Sequence, residues 1–216
     1  MEDLLDTLMT EKPIEQLPRR YFSYLKHIQK FEPLVIYDIG ASLGSYAKFF
    51  HLLYPDTKVI LFEANDVFEP KYTGEDYHIV CLSDEDNKEV KFYNNPININ
   101  NFEVCSYYKS TVVKDDFKLL NTTKLDTLVL DKGLRYPDII KINCNGSEMD
   151  IIKGGIETIK KCTYLVVRLQ NFEFFKEASM AHIVGPYIVN LGFKLEEMFD
   201  NHGNHFIDYV FKNNNI

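Results

Sequence analysis

Cysteine is scarce and unpaired in this sequence. Cys81, Cys105, Cys144 and Cys162 are scattered, with no C-x-x-C among them, which excludes a disulfide frame or a zinc site and points to reduced thiols in a cytosolic setting. Cys81, Cys144 and Cys162 lie in or beside apolar runs and read as small core residues. No apolar run is long enough to cross a bilayer, so membrane insertion is not expected. The first residues, MEDLLDTLM, are acidic and lack the basic n-region of a secretory signal; the expected compartment is the cytoplasm. Positive charge is also in deficit, with 24 Lys and Arg against 32 Asp and Glu and a formal net charge of -8. Tight non-specific binding to nucleic acid requires phosphate neutralisation by Lys and Arg, so no nucleic-acid partner is expected. No internal repeat is evident. What remains is a 216-residue chain, 45% hydrophobic and 14% aromatic, sufficient for one domain with a sizeable core.

The most informative stretch is LVIYDIGASLG, residues 34–44. An apolar run ends in Asp38, passes through Ile39, Gly40, Ala41, Ser42, Leu43 and Gly44, and gives way to a helical pattern. A buried strand turning through glycines into a helix brings bare backbone N–H groups close to a ligand. The spacing is D-x-G-x-x-x-G, not G-x-G-x-x-G, which favours a nucleoside cofactor without a pyrophosphate over a dinucleotide. The next apolar run, Lys58 to Phe62, ends in Glu63, about where such folds place an acid on ribose hydroxyls. Asp38, Gly40, Gly44 and Glu63 together point to S-adenosylmethionine.

Periodicity and punctuation give the remaining organisation. Short helices are expected at 4–9 and from about Pro18 to Lys30, forming an N-terminal segment over 1–32 ahead of a domain at 33–212. Strands are expected at 34–38, 58–63, 77–82, 138–143 and 163–169, with a short one at 90–93. Helices are expected at 44–54, 147–160 (broken at Gly154-Gly155) and roughly 173–190, and a strand end runs into a short helix over 124–131. Residues 94–111 are rich in Asn, Ser and Tyr, without a period, and form a candidate lid carrying Tyr107 and Tyr108. Two last strands, 192–199 and 205–211, have no helix between them and must form an antiparallel hairpin. Strands alternating with helices make an α/β, Rossmann-like fold with helices on both faces of a mostly parallel sheet. With an antiparallel seventh strand, that is the arrangement of class I methyltransferases. Ligands of such sheets sit beyond the carboxyl ends of the strands, where strand order reverses.

The segments VIYDIGASLGSYAKFF, VILFEAN, CLSDEDNKEVKFY, TTKLDTLV and DIIKINCNGSEMDIIKGG resemble the FkbM-type methyltransferase family in order and spacing, over roughly residues 34–170. The most specific piece is the last: Lys141, Ile142, Gly146, Glu148, Lys153 and Gly154 match the family pattern. Asn143 stands where the family usually has Asp, and Arg168 and Gln170 stand where its fifth strand often ends in Glu. The resemblance implies an S-adenosylmethionine-dependent O-methyltransferase whose acceptor is a hydroxyl, often of a sugar or a polyketide-type product.

On this reading the cofactor is held by Asp38, Gly40, Ala41, Ser42, Gly44, Ser45 and Tyr46 around the glycine turn. Glu63, Ala64 and Asn65 reach the ribose and adenine, Ser83 and Asp84 the adenine, and Asn143 and Asn145 the methionine end. Asp38 has an alternative as a helix N-terminal cap. Glu148 is either a functional carboxylate or a partner of the helix dipole. A sugar hydroxyl needs a base to take its proton, and His is the usual one near neutral pH. The strand at 192–199 is expected to run parallel to the central ones, so the turn after it lies at the cofactor end of the sheet, which puts Asp200, His202 and His205 at the acceptor side. His202, His205, Glu148 and Asn143 are therefore the candidates for catalysis and acceptor orientation. The spacing of Asp200, His202 and His205 matches no dedicated metal site, and no metal is expected. Phe172, Phe174 and Phe175 either line the acceptor pocket or belong to the core. The partner is a small molecule or a glycan, and the chain is compatible with being a piece of a larger glycan-processing polypeptide. Three other readings compete: a non-sugar acceptor, a non-catalytic cofactor-binding module, and an NAD-dependent oxidoreductase, against which the missing third glycine speaks.

Overall fold

The structure is a computed structural model, and it describes residues 31–93, 106–109, 116–200 and 205–216. The helices expected at 4–9 and 18–30 lie outside the described residues, as do Cys105 and His202. A seven-stranded sheet organises the rest. Its strands are β1 (Val35–Ile39), β2 (Lys58–Glu63), β3 (Asp76–Ile79), β7 (Ile139–Ile142), β8 (Tyr164–Gln170), β9 (Phe193–Asp200) and β10 (Phe206–Asn213). The order across the sheet is β3-β2-β1-β7-β8-β10-β9. The pairs from β3 to β8 are parallel, and β10 runs antiparallel to both β8 and β9. The chain leaves β1 toward β2 and β3, then returns on the other side as β7. The crevice where strand order reverses therefore opens at the carboxyl ends of β1 and β7.

Both faces of the sheet are covered, so its central strands are continuously apolar rather than alternating. Helix α1 (Ser45–Leu53) packs Ala47, Phe49 and Phe50 on the face that carries Ile36, Leu61, Ile139, Val166 and Val210. The opposite face, with Tyr37, Ile39, Ile140, Ile142 and Val167, is covered by α2 (Leu125–Lys132), α3 (Glu148–Gly154), α4 (Ile156–Ile159) and α5 (Ala181–Asn190). The break between α3 and α4 falls at Gly155, as the paired glycines predict. None of the described helices is long and apolar enough to cross a membrane.

Two expectations need correction. The strand read over 77–82 is two strands: β3 ends at Ile79, the Val80 N–H bonds to the Glu63 carbonyl at 2.7 Å, and β4 (Cys81–Ser83) leaves the main sheet. There it joins a second, three-stranded sheet in the order β4-β6-β5, with β5 at Glu89–Tyr93 and β6 at Phe117–Lys124, most of which the sequence reading had not placed. The helix read over 173–190 is helical only from Ala181. The preceding stretch is held out of a helix by the buried Gln170 side chain, whose Oε1 accepts from the N–H groups of Phe174 (3.2 Å) and Phe175 (2.9 Å). Its Nε2 donates to the carbonyls of Phe175 (3.3 Å) and Ala178 (3.1 Å), and Glu177 sits at φ +66°.

Candidate active site

At the tip of β1 the chain turns through Gly40 (φ +78°), Ser42 (φ +49°) and Gly44 (φ +70°). Gly40 is required for two reasons: its φ is left-handed, and a Cβ there would lie 2.1 Å from the Asn143 carbonyl oxygen. The Gly40 and Ala41 N–H groups both donate to the Phe62 carbonyl, at 2.9 and 3.2 Å, which ties the turn to β2. Glu63 completes the tie. Its Oε2 accepts from the Ser42 N–H at 2.8 Å and its Oε1 from the Asn65 N–H at 2.9 Å. Burial pushes the Glu63 carboxyl up, opposed by those backbone N–H groups. Each oxygen still has a lone pair for one ribose hydroxyl. Asn65 itself caps the short 3-10 helix Asp66–Lys71 by accepting from Val67.

Asp38 does not cap α1: the cap position is Gly44, with no side-chain cap bond. Instead Asp38 Oδ1 accepts from Lys141 Nζ at 2.7 Å, across directly opposed positions of β1 and β7. Both side chains are withdrawn from water, Lys141 to 3% exposure and Asp38 to 0%. Tyr46, in the first turn of α1, lays its ring 4.2 Å from the Lys141 ammonium. Asp38 Oδ2 is buried, with no hydrogen-bond partner among the described residues. An ionisable group in so dry a place calls for a donor. A cofactor whose methionine end carries an ammonium would supply one, and Glu63 would meet the ribose; the residues fit S-adenosylmethionine.

The β7–α3 turn faces this one. Glu148, the first residue of α3, bends back so that Oε1 accepts from the Cys144 N–H (2.8 Å) and Oε2 from the Gly146 N–H (2.9 Å). Burial raises its carboxyl to about 7, against the pull of those N–H groups and Arg168. Glu148 thus braces the loop that carries Asn143 and Asn145. Gly146 packs so tightly that a Cβ would meet Ala178 at 2.9 Å and Phe175 at 3.0 Å. Residues 106–109 lie against Ser83, Asn145 and Asp150. Ser106 Oγ donates to the Asn145 carbonyl at 2.7 Å, and Tyr107 and Tyr108 both donate to Asp150 Oδ2, at 2.9 and 2.6 Å. Tyr107 OH is also 3.3 Å from Ser83 Oγ, which in turn bonds Asp84 at 3.3 Å. Tyr107 of the expected lid therefore touches Ser83, one of the two residues expected at adenine.

On the β8–β10 side of the sheet, Arg168 of β8 forms a two-pronged pair with buried Asp208 of β10, Nε to Oδ1 at 2.8 Å and Nη2 to Oδ2 at 3.1 Å. Phe175 is core, while Phe172 is 58% exposed beside the His205 ring, centroids 5.5 Å apart. The His205 carbonyl accepts from the Asn171 N–H at 3.0 Å, which places this histidine at the carboxyl end of β8. No group of three or more His, Cys, Asp or Glu suited to a metal occurs among the described residues. The sequence reading gave no role to Lys141, Asp208, Asp150 or Gln170. A signal existed for the first two, a lone charge inside each of the apolar strands IIKI and FIDYVF. None existed for the others, whose partners are set by tertiary contact.

A reversed-order parallel sheet, a glycine turn at its switch point and an acid ending the second strand define the class I methyltransferase fold, with a site that fits S-adenosylmethionine. More particularly, the chain matches the methyltransferase FkbM domain over residues 38–195 and belongs to that family. A solved FkbM methyltransferase from Methylobacillus flagellatus KT is similar in fold, with a TM-score of 0.52 at 14% identity. The match covers 82% of this chain but only 42% of that one, so the present chain spans less than half of its length. A precorrin-6y C5,15-methyltransferase from Geobacter metallireducens GS-15 aligns over 94% of this chain and 92% of its own, with a TM-score of 0.51 at 14% identity. At these identities the two structures show the fold alone. No curated protein matches the sequence.

Proposed function

We propose that this methyltransferase modifies a hydroxyl group of a carbohydrate, on a glycan or a sugar nucleotide. The observation that carries the reading is the aromatic face at the carboxyl end of β8 and the amino end of β10. Exposed Phe172 lies against His205, and behind them Phe174 and Phe206 pack edge to face at 5.6 Å. An exposed aromatic surface beside a polar ring suits a ligand with an apolar face and hydroxyls at its rim, as a pyranose has. S-adenosylmethionine supplies an electrophilic methyl group on a sulfonium. The acceptor oxygen must be held in line with that carbon and sulfur. As the O–C bond forms the C–S bond breaks, its electron pair stays on sulfur, and the hydroxyl proton leaves to a base. His205 is the described residue best placed to take it, and His202, three residues earlier, is its alternate; Asn143 would orient the acceptor.

The test is transfer of labelled methyl from S-adenosylmethionine to a panel of glycans, sugar nucleotides, phenolic alcohols and RNA. Label is expected in a sugar ether, and His205→Ala or His202→Ala is expected to slow turnover by about 10²–10⁴-fold with cofactor affinity unchanged. Label confined to a non-sugar acceptor or RNA, or cofactor binding with no transfer, would overturn the reading.

A further inference from the structure

The Asp38–Lys141 pair is costly to build. Two charges are withdrawn from water, and apolar side chains of similar volume would serve a core as well or better. The pair also leaves Asp38 Oδ2 without a partner among the described residues. Its placement is not incidental: the two residues are directly opposed on β1 and β7, the strands that flank the switch point, one residue before the end of each. The Lys141 ammonium is fixed from two directions, by Asp38 Oδ1 at 2.7 Å and by the Tyr46 ring at 4.2 Å. The neighbouring cation on that face, Arg168, is engaged by Asp208 and reaches Tyr46 OH at 3.4 Å. Lys141 is thus the cation that sets the orientation of the Asp38 carboxylate.

We propose that Lys141 is a positioning residue for the cofactor: by holding Asp38 Oδ1, with the Tyr46 ring behind it, it directs Oδ2 to the ammonium of the cofactor's methionine end. This rests on the assignment of the site to S-adenosylmethionine. Lys141 touches no ligand atom itself. Its contribution is confined to the amino-acid end, and the adenine and ribose are met by other residues, Glu63 among them.

That confinement supplies the test. S-adenosylhomocysteine and 5′-methylthioadenosine share adenine, ribose and thioether sulfur, and only the former carries the amino acid. Titration calorimetry with both ligands would be run on the unaltered chain, Lys141→Met and Lys141→Gln. Lys141→Met is expected to weaken S-adenosylhomocysteine by about tenfold or more and to leave 5′-methylthioadenosine within about twofold, as loss of one charged hydrogen bond dictates. Lys141→Gln keeps an N–H donor and is expected to fall between; should the Met variant not fold, the Gln variant carries the same comparison. Equal losses for both ligands would mean that the pair only holds β1 to β7, and would overturn the inference, as would an unchanged ratio of the two affinities. If the unaltered chain bound no S-adenosylhomocysteine, the cofactor assignment would fall and this inference with it.

Discussion

The two halves of the sheet's carboxyl edge are held together by different means. In the half built on β1, β2 and β7, the turns are tied backbone to backbone beside the buried Asp38–Lys141 pair: the Gly40 and Ala41 N–H groups on the Phe62 carbonyl, and Gly40 against the Asn143 carbonyl. Glu63 adds a carboxylate whose protein partners are again backbone N–H groups. In the half built on β8 and β10, side chains carry the load, Gln170 pinning residues 174–178 and Arg168 clasping Asp208. Backbone contacts constrain geometry and leave no room for added atoms. Side-chain contacts allow the wall to be rebuilt by substitution while the sheet stays intact. A fold that keeps one cofactor and changes its acceptor gains from that division.

Gly40→Ala should break the first half outright. A left-handed φ costs an L residue roughly 1–2 kcal/mol. The new Cβ would also have to displace the end of β7, since it meets main chain rather than a flexible side-chain tip. Loss of S-adenosylhomocysteine binding by more than about a hundredfold is expected, of the order reached when strain and a backbone clash combine. Calorimetry that returned a near-normal affinity would show that the turn yields, and the contrast between the halves would go with it.

Gln170→Glu sharpens the same contrast from the other side. Glu is close to isosteric and keeps an acceptor for the Phe174 and Phe175 N–H groups. It has no N–H to offer the Phe175 and Ala178 carbonyls. The Phe175 carbonyl keeps the Ala178 N–H at 3.4 Å, but the buried Ala178 carbonyl loses its amide donor, which should lower stability by about 1–3 kcal/mol in denaturant unfolding. Acceptor KM should rise while the cofactor Kd stays within about twofold, because additivity holds for sites that share no partners. A matching loss of cofactor affinity would show coupling through Phe175 and Gly146, which are in close contact.

The same division explains what the sequence made legible. The glycine turn, the acid ending β2, the apolar central strands and the helix-free final hairpin are local patterns, and the structure has each close to where they predict it. Membership of the FkbM family was legible too, through motifs that lie in the backbone-built half, its β7–α3 turn, and the second sheet with α2. Residues 173–180, in contrast, have a composition compatible with helix. What keeps them out of a helix is Gln170, which spends its amide on their backbone, and single-residue propensity carries no sign of that. The strand read over 77–82 failed for a similar reason: Cys81, Leu82 and Ser83 pair with Thr122, Thr123 and Lys124, some forty residues away in sequence. Asp38 was legible as functional but not as half of a pair, because Lys141 comes into register only when β1 and β7 lie side by side.

Glu63 and Glu148 bring the comparison down to single carboxylates. Each receives two backbone N–H groups, one per oxygen, and each is buried. Glu63 joins the turn after β1 to the one after β2, whereas Glu148 folds back on its own loop. Burial lifts Glu148 from its ordinary 4.5 to about 7. A carboxyl raised in the folded state binds its proton more tightly there than in the unfolded chain, so folding is favoured below the ordinary value and that gain is lost as pH climbs through the raised one. The melting temperature of the unaltered chain, measured relative to Glu148→Gln, should therefore fall as pH rises from about 4.5 to about 7 and level off above it. A difference that grew with pH would mean that the Cys144 and Gly146 N–H groups outweigh burial and hold the carboxylate charged. Glu148 would then be a brace of the same kind as an acid at a helix N-terminus, set by its donors rather than by the dryness around it.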